Sequence, residues 1–331
     1  MSAPGSPRVS VVVPVRDRQD LLVRLLDALD RQTWSDFEVI VVDDGSRDSS
    51  AAVAREARCA GRPVRLIQAG YANHGAVAAR RLGVLASSAE ILAFTDSDCR
   101  PDPGWLAAGV AAIDAGADVV QGATVPERPA GRFERTVSAT APNGLYPTCN
   151  VFYRHEAFDV AGGFDIDVGR RYGFRHGASL RGLGFGEDTL LAWRVARSGR
   201  AAFAPDGIVR HHVFPADRRD ALRRAWAAGG FPALVRDIPE LRSTLPLRRG
   251  VALGGWSRAP LYAGAIALAA HHRRLAAALV SVWAATLAQP VLRENEPVGR
   301  RLRDVATTVA VDAVTATALV AGSVRSKSIV L

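Results

Sequence analysis

The chain has few cysteines: Cys59, Cys99 and Cys149 are the only three, and no two of them form a C-x-x-C pair. Neither a disulfide framework nor a structural zinc site is expected, and a reducing, cytosolic compartment is. Met1–Ser10 has no apolar signal core, so no secretory leader is expected. No repeat at solenoid spacing is present. Pro14–Asp20, just after the first apolar run, contains no glycine. That argues against the glycine-rich phosphate loop of a nucleotidyltransferase. The basic residues are not interleaved with aromatic stacking platforms, which makes nucleic acid a poor partner. Charged residues are only 23 % against 48 % hydrophobic, which excludes a disordered chain.

What is present is a chain of 331 residues, enough for one large domain or two ordinary ones. A fold of that size buries roughly 75 % of its unfolded surface. Lys and Arg number 42 against 33 Asp and Glu, a net charge of +9. That excess suits anionic partners such as nucleotides, pyrophosphates or acidic lipid headgroups, without choosing among them.

Along the first third, apolar runs alternate with helical patterns. Strands are predicted at Val9–Val13, Phe37–Val42, Val64–Ile67 and Ile91–Thr95. Helices are predicted at Leu21–Leu29, at Ser49–Arg58 behind a cap from Ser46 or Asp48, and at Asn73–Ala86. This order implies an α/β fold, Rossmann-like, with a mainly parallel sheet and helices on both faces. The middle, about Ala117–Phe214, is less regular. It includes a Gly/Arg-rich loop at Gly169–Gly186 and a helix at Glu187–Arg197. From Val251 the composition turns to Ala, Leu and Val, with apolar runs at Leu261–Ala270, Leu275–Leu292 and Val305–Val324. The expected division is a catalytic domain over 1–215, a connecting helical segment over 216–250 and an apolar helical region over 251–331.

In parallel α/β sheets ligands bind at the carboxyl ends of the strands. Here those ends carry Pro14-Val15-Arg16-Asp17, Asp43-Asp44-Gly45-Ser46 and Asp96-Ser97-Asp98. Carboxylates at i and i+2 past a strand can meet one hard cation shared with a phosphate; a polar loop with helix-capping aspartates fits the same residues. Asp43-Asp44 reads either as an acceptor for a base or ribose or as a capped turn. Glu187-Asp188 opens a helix, where a carboxylate is electrostatically favoured whether or not it serves as a base. His211 and His212 are adjacent on a strand, so at most one of them faces a given site.

Taken in order, Val9–Pro14, Val41–Ser46, Asn73–Gly83, Asp96-Ser97-Asp98, Asn150–Arg154, Gly162-Gly163-Phe164-Asp165, Gly186-Glu187-Asp188 and His211 form a series. The series resembles the family 2 glycosyltransferases of GT-A fold, over about Arg8–Pro215. The resemblance implies inverting, metal-dependent transfer of a sugar from a nucleotide-diphosphate sugar to a hydroxyl, with UDP the commonest nucleotide in the family. It implies a donor site at Pro14, Asp43, Asp44, Arg80 and Asp96. It assigns a divalent cation, Mn²⁺ or Mg²⁺, to Asp98 with Asp96 and His211, and the general base to Asp188. Glu187, Gly163, Phe164 and Asp165 fall on the acceptor side, Glu187 also standing as the substitute base. Arg81 stands where the family commonly has Asn. The chain lacks the Q/R-x-x-R-W pentad of processive synthases, which points to transfer of single sugars. A non-catalytic nucleotide-sugar-binding scaffold of the same fold is the alternative.

The apolar runs of the tail approach the roughly 20 residues that span a bilayer. Asp312 interrupts one of them, and a hairpin would translocate Arg293, Arg300, Arg301 and Arg303. Helices lying on, or partly entering, the cytoplasmic leaflet are expected, with arginines meeting anionic headgroups. A soluble helical subdomain is the other reading. The expected acceptor is a cell-envelope or lipid-linked glycan.

Overall fold

A computed structural model describes residues 6–69, 75–172, 185–244, 247–248, 251–253 and 256–331. The chain divides into two compact units, Met1–Ala216 and Asp217–Leu331.

The first unit runs β1 (Val9–Val15), α1 (Gln19–Asp30), β2 (Phe37–Asp43), α2 (Ser50–Glu56), a small ribbon β3 (Arg58–Cys59) and β4 (Arg62–Pro63), β5 (Arg65–Gln68), α3 (Ala76–Leu85) and β6 (Ile91–Phe94). It continues with β7 (Cys99–Pro101), α4 (Trp105–Asp114), β8 (Val119–Pro126), β9 (Val151–Arg154), α5 (His155–Val160), α6 (Val168–Arg171), α7 (Glu187–Ser198) and β10 (Ala201–His211). Eight strands form one sheet in the order β5-β2-β1-β6-β9-β8-β10-β7. The pairings β2–β5, β1–β2, β1–β6 and β8–β10 are parallel, whereas β9 runs antiparallel between β6 and β8, and β7 antiparallel to β10. The sheet is thus mixed, with its parallel part where the sequence pattern placed it.

The reason for these elements is local. Every residue of β1 and of β2 is buried, Ser10 and Glu38 included, as Val/Ile-rich strands in a doubly covered sheet require. α1 buries Leu22, Leu25, Leu26 and Leu29, the i, i+3, i+4, i+7 stripe of a helix laid on a sheet. α3 lies so close to the sheet that a Cβ at Gly83 would collide with the side chain of Val12, so only glycine fits there. Asn73, the expected first residue of α3, lies outside the described residues, as does most of the Gly169–Gly186 loop.

The second unit comprises α8 (Arg218–Ala227), α9 (Phe231–Asp237), α10 (Leu241–Thr244), a short ribbon β11 (Leu247–Arg248) and β12 (Ala252–Leu253), and the helices α11 (Ala259–Ala269), α12 (Arg273–Leu292) and α13 (Val298–Ser326). α12 and α13 are long and apolar enough to cross a membrane by length and composition. Asp312, in the middle of α13, is turned inward: Arg258 Nη2 pairs with it at 2.8 Å, and Trp283 Nε1 donates to it at 2.9 Å. One carboxylate thereby ties the start of α11 and the middle of α12 to α13. Large apolar side chains face outward instead, among them Ile266, Leu275, Val282, Leu302 and Val324.

Candidate active site

The parallel register brings the carboxyl ends of β1, β2 and β6 to one edge. Val15 pairs with Asp43, and Val12 with Phe94, so the segments that follow converge. Pro14, Asp43 and Asp44 are buried at this edge. Asp43 Oδ1 accepts from the Ser46 amide at 3.1 Å and so closes its own turn. Asp44 Oδ2 accepts from the Gly75 amide at 3.0 Å and has Arg16 Nη1 at 3.9 Å. The carboxylate of Asp44 therefore holds the start of α3 against the end of β2.

Asp96, Ser97 and Asp98 follow β6. The helix-capping reading of these aspartates does not hold, because β7 intervenes and α4 begins only at Trp105. Asp96 instead makes an ion pair with Arg80, which α3 carries almost fully buried. Burial works to discharge Arg80, but the charges of Asp96, Glu187 and Asp188 outweigh it and raise its pKa. Arg80 is the link between the strand-end carboxylates and the start of α7.

Glu187 and Asp188 sit on the first turn of α7, behind Gly186 at φ +76°. The two are not equivalent. Asp188 is partly exposed, and its Oδ1 accepts from the Thr189 amide at 2.8 Å. Glu187 is buried, and its Oε2 has no hydrogen-bond partner among the described residues. Burial, and then the charge of Asp188, push the Glu187 carboxyl up to about 7 against the opposing field of Arg80. Burial also raises Asp188, with the Thr189 hydrogen bond and Arg80 working against it. Both carboxyls are thus held above the usual range, and Glu187 is the more buried of the two.

His211 and His212 part as strand geometry requires. His211 is buried, and its Nε2 lies 3.6 Å from Asp98 Oδ1. Its Nδ1 lies 2.8 Å from the carbonyl oxygen of His212 and 3.3 Å from Thr136 Oγ1. A carbonyl can only accept, so Nδ1 carries a proton there, and Nε2 is the ring nitrogen turned to Asp98. His212 is turned to Glu127, with Nδ1 2.6 Å from the carboxylate. Cys99 sits beside this arrangement: its Sγ and the ligand atoms of Asp98 and His211 lie within 4.8 Å of one another.

The acceptor-side expectation needs correction at Phe164. Phe164 is buried between Phe94 and Phe158, with ring centroids at 5.2 and 5.4 Å, and offers no surface to an acceptor. Its ring is a core contact that anchors the turn before α6. Asp165 is ion-paired with Arg171 and accepts from the Asp167 amide at 2.9 Å. Gly163 contributes its carbonyl to Arg194 at 2.7 Å.

Sequence reasoning assigned no role to Thr136, Arg18 or Arg135. Thr136 orients His211. The guanidinium groups of Arg18 and Arg135 lie over the ring of Phe214 at 4.4 and 3.9 Å, and that ring is 6.4 Å from His211. Two positive charges are thereby held on the ring of Phe214. The signal is not local: a backbone bridge that no spacing reveals brings Arg135 to Phe214.

The family model for glycosyl transferase family 2 matches residues 10–167, the stretch that builds the strand-end carboxylates. These residues carry a glycosyl transferase family 2 domain. Among curated proteins it is 34 % identical over 171 residues to the glycosyltransferase AglE of Haloferax volcanii, covering 48 % of this chain and 56 % of that one. It is 28 % identical over 276 residues to the pre-mycofactocin glycosyltransferase of Mycobacterium tuberculosis, covering 77 % of this chain and 53 % of that one. The chain thus spans about half the length of these two relatives. Among solved structures, the mannosyltransferase PcManGT of Pyrobaculum calidifontis, in complex with GDP-Man and Mn²⁺, aligns with a TM-score of 0.57 at 19 % identity over 96 % of this chain and 89 % of that one. S. aureus TarS 1–349 aligns with a TM-score of 0.52 at 18 % identity over 97 % and 87 %. At those identities the likeness shows a shared GT-A fold.

Proposed function

We propose that this family 2 glycosyltransferase moves a single sugar from a nucleotide-diphosphate sugar, with UDP as the first nucleotide to test, onto a hydroxyl of a cell-envelope or lipid-linked glycan, inverting the anomeric centre. The observation that carries the reading is Arg80: one buried guanidinium joins Asp96 to the Glu187–Asp188 pair, so donor-side and base carboxylates form one electrostatic unit.

In this reading the edge at Pro14, Asp43 and Asp44 receives the nucleoside. Asp98 and His211 Nε2 fit a divalent cation, Mn²⁺ or Mg²⁺, since a carboxylate oxygen and the imidazole nitrogen not engaged by the His212 carbonyl face each other at 3.6 Å; Asp96, held by Arg80, is the third candidate. Such an ion supplies neutralisation of the charge that develops on the departing diphosphate. Asp188 takes the proton of the acceptor hydroxyl as that oxygen attacks the anomeric carbon from the face opposite the nucleotide. Inversion needs only this one base. Glu187 beside it, its carboxyl pushed up to about 7, disfavours a second negative charge in the same pocket. The names of the two solved neighbours that bind GDP-Man with Mn²⁺ and UDP-GlcNAc support a donor of this class.

The outward apolar faces of α11, α12 and α13, together with exposed Arg273, Arg274, Arg293, Arg300 and Arg303, support docking of the second unit on an anionic membrane surface, on the cytoplasmic side where the nucleotide sugar is made.

The test is thermal unfolding with UDP, GDP and dTDP, each with and without Mn²⁺. One nucleotide is expected to raise the midpoint, and to need Mn²⁺ to do so. Asp188→Asn is expected to keep that shift and to lose transfer by about 10²–10⁴-fold. No shift with any nucleotide in folded protein overturns the donor assignment; transfer at the parent rate in Asp188→Asn removes Asp188 as the base. A nucleotide shift with no turnover of any nucleotide sugar identifies the non-catalytic scaffold.

A further inference from the structure

The antiparallel ladder between β10 and β7 sets His211 directly across from Cys99. Cross-strand partners project to the same face of the sheet. Asp98 adjoins that pair, its carbonyl accepting from the His212 amide at 2.9 Å. One carboxylate oxygen, Asp98 Oδ1, is 3.6 Å from His211 Nε2 and 3.9 Å from Cys99 Sγ. A tetrahedral zinc ion with bonds of about 2.0–2.3 Å sets its ligand atoms about 3.3–3.7 Å apart. The two measured edges lie close to that range. Mg²⁺ instead asks for near-octahedral oxygen ligands at about 2.0–2.1 Å, and a sulfur at this corner does not meet that demand.

We propose that Asp98, Cys99 and His211 form a mixed oxygen, sulfur and nitrogen cation site, with Cys99 Sγ a direct ligand, that takes Zn²⁺ and other thiophilic dications in competition with Mn²⁺ or Mg²⁺. Three protein ligands leave the fourth tetrahedral position open to water or to a diphosphate oxygen. On binding, the Cys99 thiol gives its proton to solvent and its sulfur lone pair to the ion; nothing is oxidised or reduced. Asp98 is the partly exposed member and provides the entry, while Cys99 and His211 form the buried floor. The inference takes the location of the cation from the proposed function and changes which ions the site accepts. A divalent-cation site with a thiolate ligand is held more tightly by Zn²⁺ than hard-ion catalysis alone requires, so trace zinc becomes an inhibitor that must be displaced by excess Mn²⁺.

Co²⁺, a spectroscopic substitute for Zn²⁺, tests the sulfur bond directly. Titrating the full chain with Co²⁺ is expected to give a thiolate-to-cobalt charge-transfer band in the near ultraviolet, removed by stoichiometric Zn²⁺. Cys99→Ser is expected to abolish the band and to weaken Zn²⁺ by more than the roughly 10–100-fold that loss of an outer-sphere partner costs. Mn²⁺ affinity is expected to change by less than about threefold in that variant, because Mn²⁺ draws on the oxygen ligands. Cys149→Ser is the control and is expected to keep the band. Absence of the band in the parent protein overturns the proposal, and needs no variant to fold. Persistence of the band in Cys99→Ser with its loss in Cys149→Ser also overturns it. A rise of the unfolding midpoint with nucleotide and Mn²⁺, in protein that gives no cobalt band, leaves the proposed function standing while the thiolate site falls.

Discussion

At the scale of single residues, the site is ordered by unequal burial of neighbours that the sequence presents as equals. Glu187 and Asp188 are both first-turn carboxylates, yet only Asp188 is partly exposed. The pKa of Glu187, pushed up to about 7 by burial and by Asp188, makes folding depend on pH. Its folded value lies above its unfolded one, so the folded state binds the extra proton. The stability this proton contributes is present below about 4.5, the ordinary value, and is lost as pH rises through about 7. Glu187→Gln removes the titration. The variant is expected to gain stability relative to the parent between pH 5 and pH 8, by on the order of a few kcal/mol. Urea unfolding of both proteins at the two pH values measures this. An unchanged difference would place the shared proton elsewhere. The histidines repeat the lesson: strand alternation allows at most one of His211 and His212 to face a given site. The carbonyl of His212, which holds a proton on Nδ1 of His211, becomes visible only in the fold.

At the scale of elements, much of the fold was legible. Apolar β-branched runs bounded by Pro, Asp and Gly located β1, β2, β5 and β6 to within one or two residues. The same runs placed the acidic segments at strand ends, because a parallel strand must end where its turn begins. Beyond β6 the reading weakened for a physical reason. β7 and β9 pair antiparallel with strands distant in sequence, and no local pattern encodes such a register. Phe164 was misread because its neighbours along the chain lead to the site, whereas its ring packs with Phe94 and Phe158. Asn150 shows what holds these late strands together. Fully buried, it accepts from Trp105 Nε1 at 2.8 Å and donates to the carbonyls of Ala123 at 2.8 Å and Gly207 at 2.9 Å. It thereby pins α4, β8 and the bulge of β10 to one amide. Asn150→Ala leaves three buried polar groups without partners, each costing about 1–3 kcal/mol. The variant is expected to lose several kcal/mol in chemical denaturation and to lose the site with it, since β10 carries His211. A loss below about 1 kcal/mol would mean that water replaces the amide.

At the scale of the whole molecule, the second unit inverts the usual distribution of polarity. Asp312 and Arg258 point inward and satisfy each other, while Ile266, Leu275, Val282, Leu302 and Val324 point outward. Asp312 in the sequence argued against burial in lipid; in the fold it is a partnered residue within the helices, which removes that objection without requiring a span. Exposed arginines near the ends of α12 and α13 supply the charge that such a surface needs against anionic headgroups. Two consequences separate a membrane-docking unit from a soluble subdomain. Binding to vesicles containing phosphatidylserine or phosphatidylglycerol is expected to exceed binding to phosphatidylcholine alone and to weaken with salt, because exposed charges are screened over about 8–10 Å near physiological ionic strength. Replacing Arg293, Arg300 and Arg303 together by Gln is expected to cost roughly 1 kcal/mol per arginine at the surface, and so to lower vesicle affinity by about two orders of magnitude. Asp312→Asn tests the interior independently. It removes the ion pair to Arg258, leaves that partly exposed guanidinium with its bond to the Leu253 carbonyl, and is expected to lower the unfolding midpoint without abolishing lipid binding, since the outward apolar faces are untouched. Co-sedimentation with vesicles of the two compositions, at low and high salt, reads each of these. Equal and salt-independent partition onto both compositions would leave apolar insertion as the whole of the attraction, and no partition onto either would make these faces a surface for protein.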